Sequence, residues 1–540
     1  MRGRLSAFVA VATGAVAMLA AMPAAEQPLR LFETADRCQS CHNGLVTPSG
    51  GDVSIGVDWR ASMMAHSARD PYWQAGVRRE LLDHPTAAGA IEHECSRCHM
   101  PMAHVTQVAS GGQGQVFAHL PAGSASSTHA ALAADGVSCT SCHQIQDRNL
   151  GKPESFTGHF VIDTNTPADH RQVFGPFAIE PGLQRLMHSA TTYRPIEGRY
   201  VQASELCATC HTLYTHAFDA DGKDAGTLPE QVPYLEWRHS AYRESKSCQA
   251  CHMPDVAEPV RVSSTLGEPR EAVSRHTFRG ANFWMLRVFN RFRAELGVDT
   301  LPQELELAAR DTLELLEQDA ASLTIEQASM EGGSLRLDVR VANHGGHKLP
   351  TAYPSRRVWL HVRVTDASGA AVFESGAVHA DGSIAGNDND RDALAFEPHY
   401  LELTRPDQVQ LYENIMVDTT GAVTTGLLSG VRYVKDNRLL PDGFDKQTAP
   451  ADIAVHGSAE GDADFGPGGD RVRYLVPVSA PGPLTATVEL LYQSVGHRWA
   501  RNLGSRKAPE TERFARYYEA MSGATTARLA VTTREIRAGG

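Results

Sequence analysis

Cysteine and histidine recur together in one short pattern along the first half of this chain. All ten cysteines fall in C-x-x-C pairs, and a histidine directly follows each pair. The five copies are CQSCH (38–42), CSRCH (95–99), CTSCH (139–143), CATCH (207–211) and CQACH (248–252). A pair at this spacing can form a redox disulfide, half of a zinc site, or an attachment point for haem.

The histidine beside every pair favours covalent haem. In a c-type site the two thiols form thioethers with one haem, and the next histidine becomes the fifth ligand of its iron. Zinc and disulfide sites do not need that histidine. The sequence therefore predicts five covalently bound haem c groups. The predicted attachment residues are Cys38, Cys41, Cys95, Cys98, Cys139, Cys142, Cys207, Cys210, Cys248 and Cys251, and the predicted proximal iron ligands are His42, His99, His143, His211 and His252.

The region after the first motif offers a candidate for the sixth iron position. The stretch WRASMMAHSARDP contains Met63, Met64 and His66. A methionine there would raise the reduction potential of a haem above that of a haem with two histidines. His66 is the preferred candidate, with either methionine as the alternative.

The N-terminus predicts export. Residues 1–25 begin with Arg2 and Arg4, continue as an apolar run and end in small residues, as secretory signal peptides do. We expect this segment to be cleaved, with an uncleaved anchor as the alternative. The expected location is the periplasm, with the cell surface or outer membrane as further options, and no other stretch predicts a membrane span.

Three regions with different periodicity must position the motifs. Residues 26–280 hold all five motifs and predict an α-rich, loop-rich multihaem cytochrome c domain. Residues 281–322 carry helical apolar stripes and predict packing helices that complete it. Residues 323–540 alternate apolar and polar positions in runs such as LRLDVRV and RVWLHVRV, and predict an all-β sandwich with one short helix around 509–521. The predicted protein is therefore multidomain.

The net charge limits the partners. It is −13 when histidine is counted as neutral, and loss of Arg2 and Arg4 with the signal segment would make it more negative. An acidic surface disfavours nucleic acid and anionic lipid, and it favours a basic redox protein as the partner.

Several motifs together resemble a known superfamily. It holds tetrahaem cytochromes, pentahaem nitrite reductase and octahaem hydroxylamine oxidoreductase. Beside the five C-x-x-C-H copies, the resemblance rests on WRAS (59–62), HAALAADGVSCTSCH (129–143), MHS (187–189) and EWRHS (236–240), and it covers residues 30–320. It implies distal histidine ligands in such contexts, here His129, His188, His239 and His276.

Two departures from that superfamily bear on activity. Its nitrite reductases carry C-x-x-C-K at the active-site haem, and its octahaem members need three more motifs, whereas this chain has neither. We therefore expect an electron-transfer protein that works between unidentified donor and acceptor proteins. Two alternatives stay open: an oxidoreductase for small nitrogen or sulfur oxyanions with one open iron position, and a docking subunit of a larger respiratory complex.

The C-terminal part resembles a β-domain appended to exported multihaem cytochromes. The resemblance rests on GHKLPTAYPSRR (346–357) and KDNRLLPDGFD (435–445). His347, or less readily His344, is a candidate to cap a haem, and Arg356 with Arg357 is a candidate to pair with propionates. The alternative is a loop that only joins the domains. We expect this domain to act by docking or by shielding a haem edge.

Overall fold

The computed structural model of the chain describes residues 30–122, 128–478 and 482–537. The predicted signal segment, residues 1–25, lies outside this range. Helices dominate up to residue 315, and strands dominate from residue 321 onward. Among the described helices, none combines the length and apolar character that a membrane crossing requires.

The first part is built from short helices joined by long loops. Its α-helices are α1 (Asp36–His42), α2 (Ile55–Arg60), α3 (Pro71–Asp83), α4 (Ala88–His99), α5 (Pro101–Ala109), α6 (Thr128–Ala134), α7 (Cys139–Cys142), α8 (Pro181–Thr191), α9 (Ser204–Ala208), α10 (Pro233–Arg238), α11 (Cys248–His252), α12 (Phe283–Arg291), α13 (Arg293–Leu296) and α14 (Pro302–Leu315). Local signals start some of them. Asp70 caps α3 by accepting hydrogen bonds from the backbone N–H groups of Tyr72 and Trp73.

Two small sheets also lie in the first part. β1 (Gln172–Gly175) pairs in parallel with β2 (Arg194–Glu197), and β3 (Leu213–Phe218) pairs antiparallel with β4 (Asp224–Gln231). β3 begins directly after the fourth motif, and the Phe174 carbonyl on β1 accepts a hydrogen bond from His143 of the third motif.

The second part contains two larger sheets and a three-stranded one. Its strands are β5 (Ala321–Glu331), β6 (Ser334–Asn343), β7 (Arg357–Thr365), β8 (Ala371–Ser375), β9 (Glu402–Leu403), β10 (Leu411–Tyr412), β11 (Asn414–Val417), β12 (Val423–Thr424), β13 (Arg432–Asp436), β14 (Gly469–Pro477), β15 (Leu484–Gln493) and β16 (Thr526–Ile536), and its helices are α15 (Asp388–Arg391), α16 (His497–Gly504) and α17 (Pro509–Met521). The strand orders are β5-β6-β14-β9, β10-β7-β15-β16 with β8 on β7, and β12-β11-β13.

Alternating side chains bury one face of each large sheet in a common core. Leu337 and Val339 on β6 are fully buried, as are Leu360 and Val362 on β7. All four belong to one apolar cluster, which makes the two sheets the layers of a sandwich. The predicted strands and the predicted helix at 509–521 are confirmed. The second part is not all-β, because α16 and α17 lie between β15 and β16.

The helices at 283–315 join the two parts of the molecule. Phe283, Trp284 and Phe289 on α12 are buried in the same cluster as the sandwich strands, and so is Leu305 on α14. The sequence assigned this region to the haem domain alone. Its apolar stripe instead packs against the β-sheets as well, so both parts share one core.

Candidate functional site

Each of the five motifs starts on or lies within a short helix. The helices concerned are α1, α4, α7, α9 and α11. A helical turn brings positions i and i+3 to the same face, so both cysteines of a pair can reach one planar group. Some starts are fixed locally. The Ser247 side chain accepts a hydrogen bond from the backbone N–H of Ala250 and caps α11.

Four of the five predicted proximal histidines donate Nδ1–H to a backbone carbonyl. The acceptors are Val262 for His42 (2.6 Å), Ser67 for His99 (3.2 Å), Phe174 for His143 (2.6 Å) and Arg279 for His252 (2.6 Å). Because a carbonyl only accepts, the proton lies on Nδ1 and the Nε2 lone pair is free for a metal ion. The acceptors for His42 and His143 are 220 and 31 residues away in sequence, so no local pattern predicts them.

Burial keeps the predicted proximal ligands in the neutral form that binds metal. It lowers the pKa of His99 and of His252 to about 4, and it also lowers the pKa of His42, His143 and His211.

The surroundings of the motifs also fit haem. All ten cysteines are free and partly accessible, although the protein around them raises the pKa of Cys95 and Cys142, with burial as the largest cause. Unpaired thiols and imidazoles with a free Nε2 form a donor set that fits covalently attached haem.

His211 differs from the other four. It is the most accessible of the five, and its ring makes no hydrogen bond to any described residue. Loss of solvent around the ring is the largest cause of its lowered pKa, and the second is the charge of Arg356, from the GHKLPTAYPSRR loop of the second part. Arg356 therefore lies near the fourth motif.

Two proximal histidines face a second imidazole at a distance that suits a shared metal ion. The ring centroids of His143 and His276 are 6.3 Å apart with 22° between the ring planes, and those of His252 and His347 are 6.3 Å apart with 11°. Two imidazoles on opposite sides of one metal ion have centroids about 6 Å apart, since each metal–nitrogen bond is about 2 Å long and each centroid lies about 1 Å beyond its nitrogen. Among the described residues, no second imidazole faces His42, His99 or His211 in this way.

Two of the histidines named from the sequence lie opposite a proximal ring: His276, one of the five predicted distal ligands, and His347, the candidate from the C-terminal loop. Like the proximal ligands, His276 places Nδ1 on a carbonyl, that of Ser274, at 3.1 Å. The resemblance to multihaem cytochromes pointed to it, and the geometry agrees with that role.

The remaining predicted distal histidines lie elsewhere. His66 is buried with its ring 4.9 Å from Phe289 and its Nε2 3.2 Å from the Thr300 hydroxyl. The other three form no ring pair with a proximal histidine. His129 is on α6, and its charge contributes, after burial, to the lowered pKa of His119. His188 Nε2 is 2.6 Å from the Asp169 carbonyl, and His239 Nε2 is 3.2 Å from the Asp445 carbonyl. Met63 packs against the main core.

The sequence analysis missed His119. It is buried at 5% exposure, and its Nε2 has no hydrogen-bond partner. A buried nitrogen without a partner is costly, so His119 joins the candidates for a distal position. No motif identifies it, because it lies between the second and third cysteine motifs with no cysteine beside it.

Thiols of different motifs lie next to one another. Hydrogen bonding with Cys38 raises the pKa of Cys139 well above its usual value, and the same type of contact joins Cys98 to Cys210 and Cys248 to Cys207. Cys142 adds a link, since the charge of Cys210 contributes to its raised pKa after burial. The five motifs therefore lie close together as one connected cluster, with the fourth motif near the second, third and fifth.

A buried group of four charges joins the first part to the second. We call Glu236, Lys348, Asp436 and Arg438 the charge cluster; their side chains are 0–6% exposed. Lys348 Nζ donates to Asp436 at 2.8 Å, and Arg438 binds both oxygens of Asp436 at 2.9 and 2.7 Å. Arg438 also pairs with Glu236 at 2.9 Å. Two cations balance two anions, so the cluster can stay buried.

A second buried group, in the sandwich, is a hydrogen-bonded core rather than a metal centre. His399, Asp462 and Asp470 lie close enough to share an ion. However, His399 Nδ1 accepts from the side-chain amides of Gln410 (2.9 Å) and Asn437 (3.1 Å), so its proton lies on Nε2 and donates to Asp462 at 3.0 Å. Unlike the motif histidines, His399 has no free ring nitrogen for a metal ion.

The fold is similar to that of a solved structure, a penta-heme cytochrome c552 from Thermochromatium tepidum. The two chains superpose with a TM-score of 0.52 and 15% sequence identity, over 94% of this chain and 100% of that one. No protein-family profile matches this chain, and no curated protein matches its sequence. At this identity the likeness concerns the fold, which is that of a multihaem cytochrome.

Proposed function

We propose that this protein is an exported pentahaem c-type cytochrome that carries electrons between redox partner proteins. The observation that carries the proposal is the connected cluster of five C-x-x-C-H motifs in a chain with a multihaem cytochrome fold. Bound haem would supply a redox-active iron at each motif. The protein's own contribution is to hold these centres close together and to keep their ligands neutral.

The contacts around the motifs support this role. Carbonyl acceptors fix the ring orientation of four proximal histidines, and burial disfavours their protonation. The thiol contacts place neighbouring motifs side by side, as electron transfer along a chain of centres requires. The acidic net charge of −13 favours basic donor and acceptor proteins.

The stoichiometry of covalent haem tests the proposal. The intact mass of the purified protein, compared with its peptide mass, should show five haem groups that acidified organic solvent does not extract. Another number, or extractable haem, would contradict it. N-terminal sequencing of the same sample should find the chain beginning near Ala25, whereas a chain that keeps residues 1–25 would contradict cleavage.

A specific observation favours one alternative, an oxidoreductase with an open iron position at the fourth motif. Among the described residues no second imidazole faces His211, and Arg356 lies close enough to act on its pKa. A guanidinium beside an open iron position would suit a small oxyanion.

The ferric protein's absorbance and electron paramagnetic resonance spectra distinguish the two functions. A carrier should show low-spin iron only, and added nitrite or sulfite should leave the spectra unchanged. A high-spin signal that these anions shift would favour the enzyme. In Arg356→Met, the same anions should then shift that signal less.

A further inference from the structure

The loop after β6 reaches from the sandwich onto the first part of the chain. We call residues 344–351 the cap loop. Tyr242 donates its hydroxyl to the His344 carbonyl at 3.0 Å, and the backbone at Gly346 passes so close to Trp237 that an added Cβ would lie 3.3 Å from the indole ring. Two backbone hydrogen bonds of 2.9 Å tie Leu349 to Leu439.

His347 sits in this loop with the geometry of an axial ligand. Its Nδ1 donates to the Lys348 carbonyl at 3.0 Å, which leaves Nε2 free. The facing ring, His252, has the same arrangement toward the Arg279 carbonyl. The two ring planes differ by 11°, and the centroids are 6.3 Å apart.

Packing alone does not account for this pair. Neither Nε2 has a hydrogen-bond partner among the described residues, and the rings are too far apart to bond each other directly. With both Nε2 atoms free, a centroid separation of 6.3 Å suits one metal ion bound to both rings, given metal–nitrogen bonds of about 2 Å.

The charge cluster fixes the cap loop directly after this position. Lys348 directly follows His347, and its backbone N–H donates a hydrogen bond to the Glu236 carboxylate at 3.1 Å. The Thr351 hydroxyl donates to the same carboxylate. Glu236 lies on α10, in the first part. Its carboxylate therefore helps to fix the position of His347 relative to the first part and the fifth motif.

We infer that His347, a residue of the sandwich, is the sixth ligand of the haem iron whose fifth ligand is His252, and that the charge cluster positions it. This inference rests on the proposed haem protein. It makes the second part a component of the fifth haem site, in place of a separate docking module.

The test uses the full-length holoprotein and ferric spectra. His347→Ala should retain five covalent haems by mass and convert one of them, about one fifth of the haem signal, from low to high spin. Added imidazole should restore the low-spin state by filling the vacated position. His344→Ala is the matched control, because His344 lies in the same loop with its Nε2 2.9 Å from the Ser322 hydroxyl, and its spectra should equal those of the wild type.

The outcomes separate the ligand inference from the proposed function. A wild-type protein without covalent haem overturns the proposed function. Five haems in His347→Ala with unchanged spin states overturn the ligand inference alone. If His347→Ala does not accumulate, His347→Met decides: it should keep all irons low spin and raise the potential of one haem, and an unchanged titration curve would overturn the inference.

Discussion

The two facing imidazole pairs are built in different ways. His143 and His276 both come from the part that holds the cysteine motifs, and carbonyls of that same part orient both rings. His252 comes from the last motif, whereas His347 comes from a loop of the sandwich. The first pair needs only contacts within the first part of the chain. The second pair needs the interface between the two parts.

This difference shows what the second part contributes. The sandwich carries no cysteine, and yet its sheets share a core with α12 and α14 and its loop completes a ring pair. An interface that must place a ring to within a fraction of an ångström needs directional contacts, and the charge cluster provides them. The predictions below test whether the two pairs respond separately.

Removal of the sandwich should have the largest effect. A chain that ends at residue 322 would expose the apolar faces of α12 and α14, since residues such as Phe289 and Leu305 lose the strands that bury them. We expect little soluble protein, by size-exclusion chromatography with detection of haem absorbance. A monodisperse fragment with five low-spin haems would show that the first part is independent.

Arg438→Met should destabilise the interface strongly. It leaves two buried carboxylates, Glu236 and Asp436, with Lys348 as the remaining cation of the cluster, and breaking such a buried pair costs about 3–5 kcal/mol. The free energy of unfolding by denaturant measures the loss. The spectra should change at the haem of His252 and stay unchanged at the haem of His143.

Arg473→Met is the matched control for that variant. Arg473 pairs with Asp338 on the sandwich surface, with its side chain 44% exposed, and such pairs contribute about 0–1 kcal/mol. Equal losses in the two variants would contradict a special role for the charge cluster.

The two ring pairs should respond additively to substitution. His276→Ala and His347→Ala should each convert one haem to high spin, and the double variant should convert two, because the pairs share no ligand. Electron paramagnetic resonance of the three ferric proteins gives the counts. A single variant that alters two haems would show that the sites are coupled through the protein.

Local patterns in the sequence predicted the parts of the molecule that depend on neighbouring residues. The alternation of LRLDVRV and RVWLHVRV corresponds to β6 and β7, and PETERFARYYEAM corresponds to α17. The apolar stripe at 283–289 is helical as predicted. The side that this helix faces was not predictable, because periodicity shows that a face is apolar but not which element covers it.

The candidate ligands divide in the same way. The motif gives the cysteines and the proximal histidines, because the chemistry sets their spacing. A distal histidine has no spacing rule, since it needs only to arrive opposite the iron from any segment. The sequence named His347 only as a candidate to cap a haem, with His344 as the alternative, and it gave no signal for His119. Only the folded chain identifies their surroundings.

Two buried carboxyl groups extend the comparison to pH. Burial alone would raise the pKa of Asp436, but the charges of Arg438 and Lys348 outweigh it, and the pKa is lowered. Glu230, in the first part, has no such cation beside it among the described residues. Burial raises its pKa to about 7, although the hydrogen bond from the Thr215 hydroxyl acts in the opposite direction. The stability that the interface contributes should therefore stay constant from neutral to mildly acidic pH. The stability that the region of Glu230 contributes should fall as pH rises.

Glu230→Gln tests this with the smallest expected effect. A folded pKa above the unfolded value of about 4.3 favours folding below that value, and the benefit is lost as pH rises through about 7. The stability of the glutamine variant relative to the wild type should therefore rise by roughly 1–3 kcal/mol between pH 5 and pH 8, by denaturant unfolding of the holoprotein. Glu244→Gln, at a side chain 79% exposed, should show no such dependence. A wild-type protein that gains stability from pH 5 to 8 relative to Glu230→Gln would mean that Glu230 is charged in the folded state, and it would contradict the prediction.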